Sequence, residues 1–281
     1  MNMKKLIAGI FACMLMFTMC LTGCGNNEEA KDKDKDNQQQ QNQDENNKDD
    51  NNEQKLQLKV GTNAEFPPFE YMNDNGEIDG FDMALMKEIA KRLNAEITIE
   101  SMQFNGLIGA ISSGQINCIA AGYTIDEERK LACDFSDPYI NSEQVVIVRK
   151  GTEGIASMDD LKGKTIAVQE GTTGDIIASE DVENSKVSRF KKYLDAVTEL
   201  KNGKADAVII DSKPAEVFVN ANQDTIEIIN ELVLKDEEYG IAVKKGDTEL
   251  LNKINNSIKE IKADGTFDKL VDQYIKGYTA D

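Results

Sequence analysis

The chain has 281 residues, 51 acidic against 32 basic side chains, a formal charge of −19, and no histidine or tryptophan. Such a charge disfavours nucleic acid and anionic membrane surfaces as partners, and without histidine no Ser/His or Cys/His nucleophile system can be built. The spacing of Cys118 and Cys133 does not read as a metal site, and neither a metal nor a cofactor is expected.

Composition changes sharply along the chain. Lys4 and Lys5 precede an apolar run from Leu6 to Leu21, too short for a stable bilayer span and suited to a secretory signal. The run ends in Leu21-Thr22-Gly23-Cys24, which resembles the lipobox of bacterial lipoproteins. That resemblance implies that residues 1–24 are a signal, that Cys24 is lipidated and becomes the first mature residue, and that the membrane is met through its acyl chains. Residues 25–55 hold ten acids, five lysines and a single alanine as the only hydrophobic residue, a composition that predicts a disordered tether. A flexible tether of this length spans on the order of 30 Å. Residues 56–281 remain as the folded part, long enough for two lobes.

In chain order, Leu56 to Gly61 alternates as a first strand, and Gly61 to Phe69 follows as a stiff loop through Pro67 and Pro68. Asn73 to Gly76 is a hairpin signal. An apolar stripe at 83, 86, 90 and 93 predicts a helix stopped at Asn94, and Ile97 to Glu100 a second strand. Phe104-Asn105 opens a short helix ending at Gly114, and Ile116 to Ala121 is a buried strand. Thr124 and Glu127 have capping-box spacing, so a helix is expected from Thr124, with Arg129 in its second turn. Gln144 to Val148 reads as a continuous buried strand.

A second set begins where Ser157 and Asp160 cap a short helix before the strand Thr165 to Val168. Gly171 to Gly174 turns into a helix, Tyr193 to Leu200 is another, and Ala205 to Ile210 is a strand closed by a helix start at Asp211 to Pro214. Strands at Ile226 to Ile229 and Gly240 to Val243 and two amphipathic helices finish the chain. The alternation predicts an α/β fold of two lobes, each a mostly parallel sheet with covering helices. In open α/β sheets ligands sit at the carboxyl ends of strands, where Asn63, Thr124, Thr172, Thr173 and Asp211 all fall.

The whole of 56–281 resembles the solute-binding proteins of bacterial ABC importers for polar amino acids, with the periplasmic-binding-protein type II fold. The motifs are Gly61-Thr62 through Phe66-Pro67-Pro68-Phe69-Glu70, Gly80-Phe81-Asp82, Phe104 to Ile108, Ala121-Gly122-Tyr123-Thr124 to Arg129, and Asp134 to Tyr139. Further ones are Asp159 to Lys164, Val168 to Gly174 and Ala205 to Asp211. By resemblance, lobe 1 is 56–140 plus 240–281 and lobe 2 is 141–239, with crossing strands near Tyr139–Glu143 and Asp236–Tyr239 as the hinge.

The same resemblance implies site roles. A ligand α-carboxylate is held by Arg129, the Thr124 region and the Thr172-Thr173 backbone, and its α-ammonium by Asp211 and the Gly122 carbonyl next to Ala121. Phe66 and Phe104 flank the side chain. Asn63 and Gln169 suit a neutral polar side chain, whereas Glu65 suits a cationic one, so ligand identity stays open. Implied partners are a free amino acid, ABC permease subunits and the membrane through Cys24, at the extracellular face. A dehydratase-like cleft enzyme or an extracellular sensor are the alternatives on such a fold. Cys118 and Cys133, left after export, can either pair or stay free.

Overall fold

Leu58 and Val60 point their side chains to one face of the first strand and are fully buried, as the alternation of the opening segment demands. A computed structural model describes residues 55–279. The signal, the lipobox with Cys24 and the tether lie outside the described residues, except for Lys55.

The first part of the chain gives β1 (Gln57–Thr62), β2 (Glu65–Phe66), β3 (Glu70–Met72), β4 (Ile78–Asp79), α1 (Phe81–Arg92), β5 (Glu96–Ser101), α2 (Leu107–Ser113), β6 (Cys118–Ile119), α3 (Arg129–Ala132) and β7 (Cys133–Phe135). There follow β8 (Ile140–Arg149), β9 (Thr165–Gln169), α4 (Thr173–Ile176), β10 (Lys186–Phe190), α5 (Tyr193–Lys201), β11 (Ala207–Asp211), α6 (Ser212–Asn220) and β12 (Ile226–Tyr239). The chain closes with β13 (Ala242–Lys244), α7 (Thr248–Ala263) and α8 (Thr266–Leu270).

Two five-stranded sheets result, in the orders β5-β1-β6-β13-β7 and β10-β9-β11-β8-β12. In the first, β13 is antiparallel to both neighbours, so the other four strands share one direction. In the second, β8 plays that part. The two-lobed, mostly parallel architecture expected from the sequence is therefore present, with one reversed strand per sheet. The chain passes between the sheets twice, and the two crossing strands β8 and β12 pair from Ile140↔Tyr239 to Gln144↔Lys235.

Helices follow the stripes that specify them. Helix α1 buries Phe81, Met83, Leu85, Met86, Ile89 and Ala90, and α7 buries Leu250, Ile254, Ile258 and Ile261 in the same core. Burying each large side chain of this kind contributes roughly 1.5–3 kcal/mol. Asn94 adopts φ 49 after α1, the left-handed stop its position predicts. Ser157 and Asp160 form a reciprocal capping box.

One expectation is corrected, one left open is resolved and one strand is extended. The helix expected from Thr124 begins instead at Arg129, because Asp126 Oδ1 accepts from the N–H of Glu128 and of Arg129 and shapes a turn there. Thr124 is extended enough to bridge to Tyr239, and its hydroxyl is spent on Glu237. Cys118 and Cys133 are both free and buried. They lie on β6 and β7 with β13 between them, opposite Val243 and Lys244. Two strand spacings put them about 9–10 Å apart, beyond the Cα separation a disulfide tolerates. The strand expected at Ile226 to Ile229 is the start of the much longer β12.

Candidate ligand site between the sheets

The strands aim their carboxyl ends at one place. β1 runs into Asn63, β6 into Ala121 to Thr124, β9 into Gln169 to Thr173, and β11 ends on Asp211. There Asn63, Phe66, Phe104, Ala121, Gly122, Thr124, Arg129, Gln169, Thr172, Thr173 and Asp211 line a single pocket. Of the twelve residues named from sequence, only Glu65 lies elsewhere, paired at the rim with Lys192 at 2.5 Å. The walls nearly touch. About 10 Å³ between them can hold the centre of a water molecule.

Arg129 is the fixed cation. Its guanidinium lies 4.3 Å from the Tyr123 ring centroid and 5.4 Å from that of Phe104. Nη1 donates to the Thr124 carbonyl at 2.9 Å, and Nη2 to the Gly171 carbonyl at 3.1 Å on the opposite wall. Two of five N–H donors are thus committed, which holds the fork and leaves three for an acceptor.

Asp211 is the fixed anion. It terminates a strand buried at every residue and is itself 5 % exposed. The Tyr239 hydroxyl donates to its Oδ1, with the Ser142 hydroxyl 3.0 Å from the tyrosine oxygen. Burial, and next the charge of Glu237, hold the Asp211 carboxyl well above the usual aspartate range.

Two glycines are dictated by geometry. Gly122 has φ +51, and a Cβ there would lie 2.7 Å from the Phe66 ring. Its N–H donates to Asp82 Oδ2 at 2.8 Å, which also accepts from the Tyr139 hydroxyl at 2.7 Å. Burial pushes the Asp82 carboxyl up to about 6, partly offset by those two hydrogen bonds. Gly171 has φ +83 and faces Asn105 so closely that a Cβ would sit 3.0 Å from the Asn105 Cβ.

On the opposite wall the Thr172 hydroxyl donates to the Gln169 carbonyl at 2.8 Å and accepts from the Asp175 N–H at 3.3 Å, capping α4. Gln169 Nε2 donates to Asn63 Oδ1 at 2.9 Å, so the two amides meet across the cleft.

Two residues of the site were not singled out from sequence. Tyr193 lines the pocket, stacks on Phe66 with ring centroids 5.7 Å apart, and donates to Thr172 Oγ1 at 3.1 Å. Glu237 accepts from the Thr124 hydroxyl at 2.8 Å. Tyr193 opens a predicted helix at an apolar position and reads as core. Glu237 sits in the charge run Lys235-Asp236-Glu237-Glu238, in the crossing strand that the resemblance implies, where nothing in the sequence marks it as a site residue.

Residues 58–277 match the bacterial extracellular solute-binding proteins, family 3. The chain belongs to that family. It is 34% identical over 278 residues to the probable histidine-binding protein of Neisseria gonorrhoeae, covering 98% of this chain and 96% of that one. It is 33% identical over 285 residues to the arginine-binding extracellular protein ArtP of Bacillus subtilis (strain 168), covering 98% and 99%. Among solved structures, the arginine-bound form of truncated ArgBP from T. maritima is 49% identical with a TM-score of 0.69, covering 73% of this chain and 96% of that one. The chain is accordingly a solute-binding protein of an extracellular family, in keeping with relatives that are named as binding proteins. No helix among the described residues is long and apolar enough to cross a membrane.

Proposed function

We propose that this family member captures a polar L-amino acid between two closing lobes and delivers it to the permease subunits of an ABC importer. The observation that carries this reading is the convergence of one cation, Arg129, and one anion, Asp211, from opposite walls of a single pocket. An amino acid is a zwitterion, and its two backbone charges need opposite partners a few Å apart. Arg129, the Thr124 region and the Thr172-Thr173 backbone take the α-carboxylate, while Asp211 and the Gly122 carbonyl take the α-ammonium. Phe66 and Phe104 border the side chain. Because these groups belong to different lobes, about 56–140 plus 240–281 and 141–239, full binding requires closure about the crossing strands. Closure excludes water and strengthens both ion pairs.

The ligand's side chain meets the amides of Asn63 and Gln169, which offer both donors and acceptors. Glu65 is neutralised by Lys192 at the rim, which favours a polar side chain recognised by hydrogen bonding over one recognised by a bare carboxylate. The names of relatives for histidine and arginine keep the ligand in the polar class. The protein is held at the extracellular face by a lipid on Cys24, with residues 25–55 as tether.

A thermal-shift screen over the twenty amino acids, cystine and ornithine tests the reading. One or a few polar L-amino acids are expected to raise the melting temperature. Arg129→Ala and Asp211→Ala should each weaken binding about 30- to 5000-fold, the cost of leaving a buried charge unpaired. Wild-type affinity in either variant would overturn the site. Cys24→Ser should move the protein from the membrane to the soluble fraction, and retention at the membrane would refute the anchor.

A further inference from the structure

A buried anion stands beside the carboxylate side of the pocket. Asp175 lies on α4, just beyond Thr172 and Thr173, and is 7 % exposed. Its Oδ2 accepts from the Gly171 N–H at 3.1 Å, while its own N–H donates to Thr172 Oγ1 at 3.3 Å. One residue thus ties the turn from Gly171 to Asp175 by both its side chain and its backbone. Gly171 is where that hold matters. Its backbone is left-handed at φ +83, and its carbonyl accepts from Arg129 Nη2 at 3.1 Å.

The charge of Asp175 has its own counterpart. Arg189 stands on β10, opposite Val168 of β9 at the sheet edge. Its Nε–H is shared between Asp175 Oδ1 at 2.9 Å and Oδ2 at 3.0 Å, and its Nη2 donates to the Ser179 hydroxyl at 2.7 Å. The single Ser179 proton reaches the Asp175 carbonyl at 2.7 Å and Oδ1 at 3.1 Å. The neighbouring acid Glu170 is matched in the same way by Lys191. A surface ion pair usually contributes little. This one differs because its acid is buried and holds the turn that meets the ligand.

Arg189, Asp175, Gly171 and Arg129 therefore form one chain of contacts, from the edge of the second sheet to the fixed cation on the opposite wall. From this geometry we infer that Asp175 and Arg189 are a positioning pair for the ligand's α-carboxylate. Asp175 holds the Gly171 turn, so that the Gly171 carbonyl fixes the Arg129 fork and the Thr172-Thr173 backbone faces the cleft. Arg189 cancels the charge of Asp175, which would otherwise repel an incoming carboxylate at short range. Neither residue lines the pocket, and both act through the turn. The inference rests on the amino-acid reading of the site.

Isothermal titration of the whole chain with L-arginine, L-histidine and L-glutamine, each beside its α-carboxamide, separates positioning from general stability. Arg189→Met leaves Asp175 uncompensated and should weaken the free amino acid up to about tenfold and its neutral carboxamide less than about twofold. A loosened fold would weaken both alike. Arg189→Lys keeps the charge and should recover most of the loss. Adding Asp175→Asn to Arg189→Met removes the bare charge and keeps an acceptor for the Gly171 N–H, so affinity for the amino acid should return to within about threefold of wild type. Equal losses for acid and carboxamide, or no recovery in the double variant, would overturn the inference. A wild type that binds the carboxamide as tightly as the free acid would instead overturn the amino-acid reading itself. If none of the three amino acids binds wild type, amide hydrogen exchange of the ligand-free proteins decides. The Gly171 N–H should be protected in wild type and freed in Asp175→Ala, and equal exchange in the two would refute the hold on the turn.

Discussion

Gly122 shows how much one position can carry. A left-handed backbone, the Phe66 ring against its Cα and an N–H donated to Asp82 all meet there. Asp82 in turn has a carboxyl pushed up to about 6, chiefly by burial. Its folded-state value is raised above the unfolded one, so it favours the fold most below the unfolded value, and that contribution is lost as pH rises through about 6. The expected cost is about 2 kcal/mol from pH 4 to pH 7. Chemical denaturation of wild type and Asp82→Asn at both pH values should show wild type losing that much relative to the variant. A constant difference between them would contradict the burial argument. At this scale Asp211 stood out as a charge closing an apolar strand, and Arg129 as a cation beside a strand–turn–helix junction. Tyr193 and Glu237 did not, since an apolar stripe hides the first and a charge run the second.

At the scale of elements, propensity located most helices and misjudged the strands that depend on partners. β10 carries Lys186 and Arg189 and pairs only with β9 at a sheet edge, where charge is tolerated and alternation is faint. β12 keeps strand geometry through Asp236, Glu237 and Glu238 because β8 supplies a paired backbone along that length. The cysteines make the same point. Their sequence positions allowed a bridge, and the interposed β13 forbids one. Burial also pushes the Cys118 thiol up to about 12 and the Cys133 thiol to about 11, so both are poor nucleophiles in the fold. Without reductant, residues 55–279 should show two titratable thiols after unfolding and almost none before it, with a melting temperature indifferent to dithiothreitol. One disulfide in the mass of the native protein would refute the register.

For the whole molecule, the contacts across the cleft are the stack of Tyr193 on Phe66 and a small set of polar pairs. Gln169 meets Asn63, Arg129 meets the Gly171 carbonyl, and Lys192 meets Glu65 at the rim. Exposed ion pairs such as the last contribute little, roughly 0–1 kcal/mol. The buried amide pair contributes about 1 kcal/mol. Gln169→Ala should therefore shift the ligand-free closure equilibrium about fivefold toward open, read as a longer inter-lobe distance by fluorescence transfer. An unchanged distance distribution would show that closure does not depend on this contact. The overall two-lobed plan was legible because each βα unit announces itself locally. How tightly the lobes meet was not, being set by contacts between residues more than 100 positions apart, such as Gln169 and Asn63.

The reversed strand β13 also sets an order of assembly. The second sheet draws all five strands from Ile140 to Tyr239, one uninterrupted stretch. The first sheet needs β13, made after all of those, to fill the gap between β6 and β7. The half that is synthesised first is thus the half that can be completed last, after closing a loop of on the order of 100 residues. A chain cut short before Ala242 would carry a finished second sheet beside a first one left with open edges at β6 and β7.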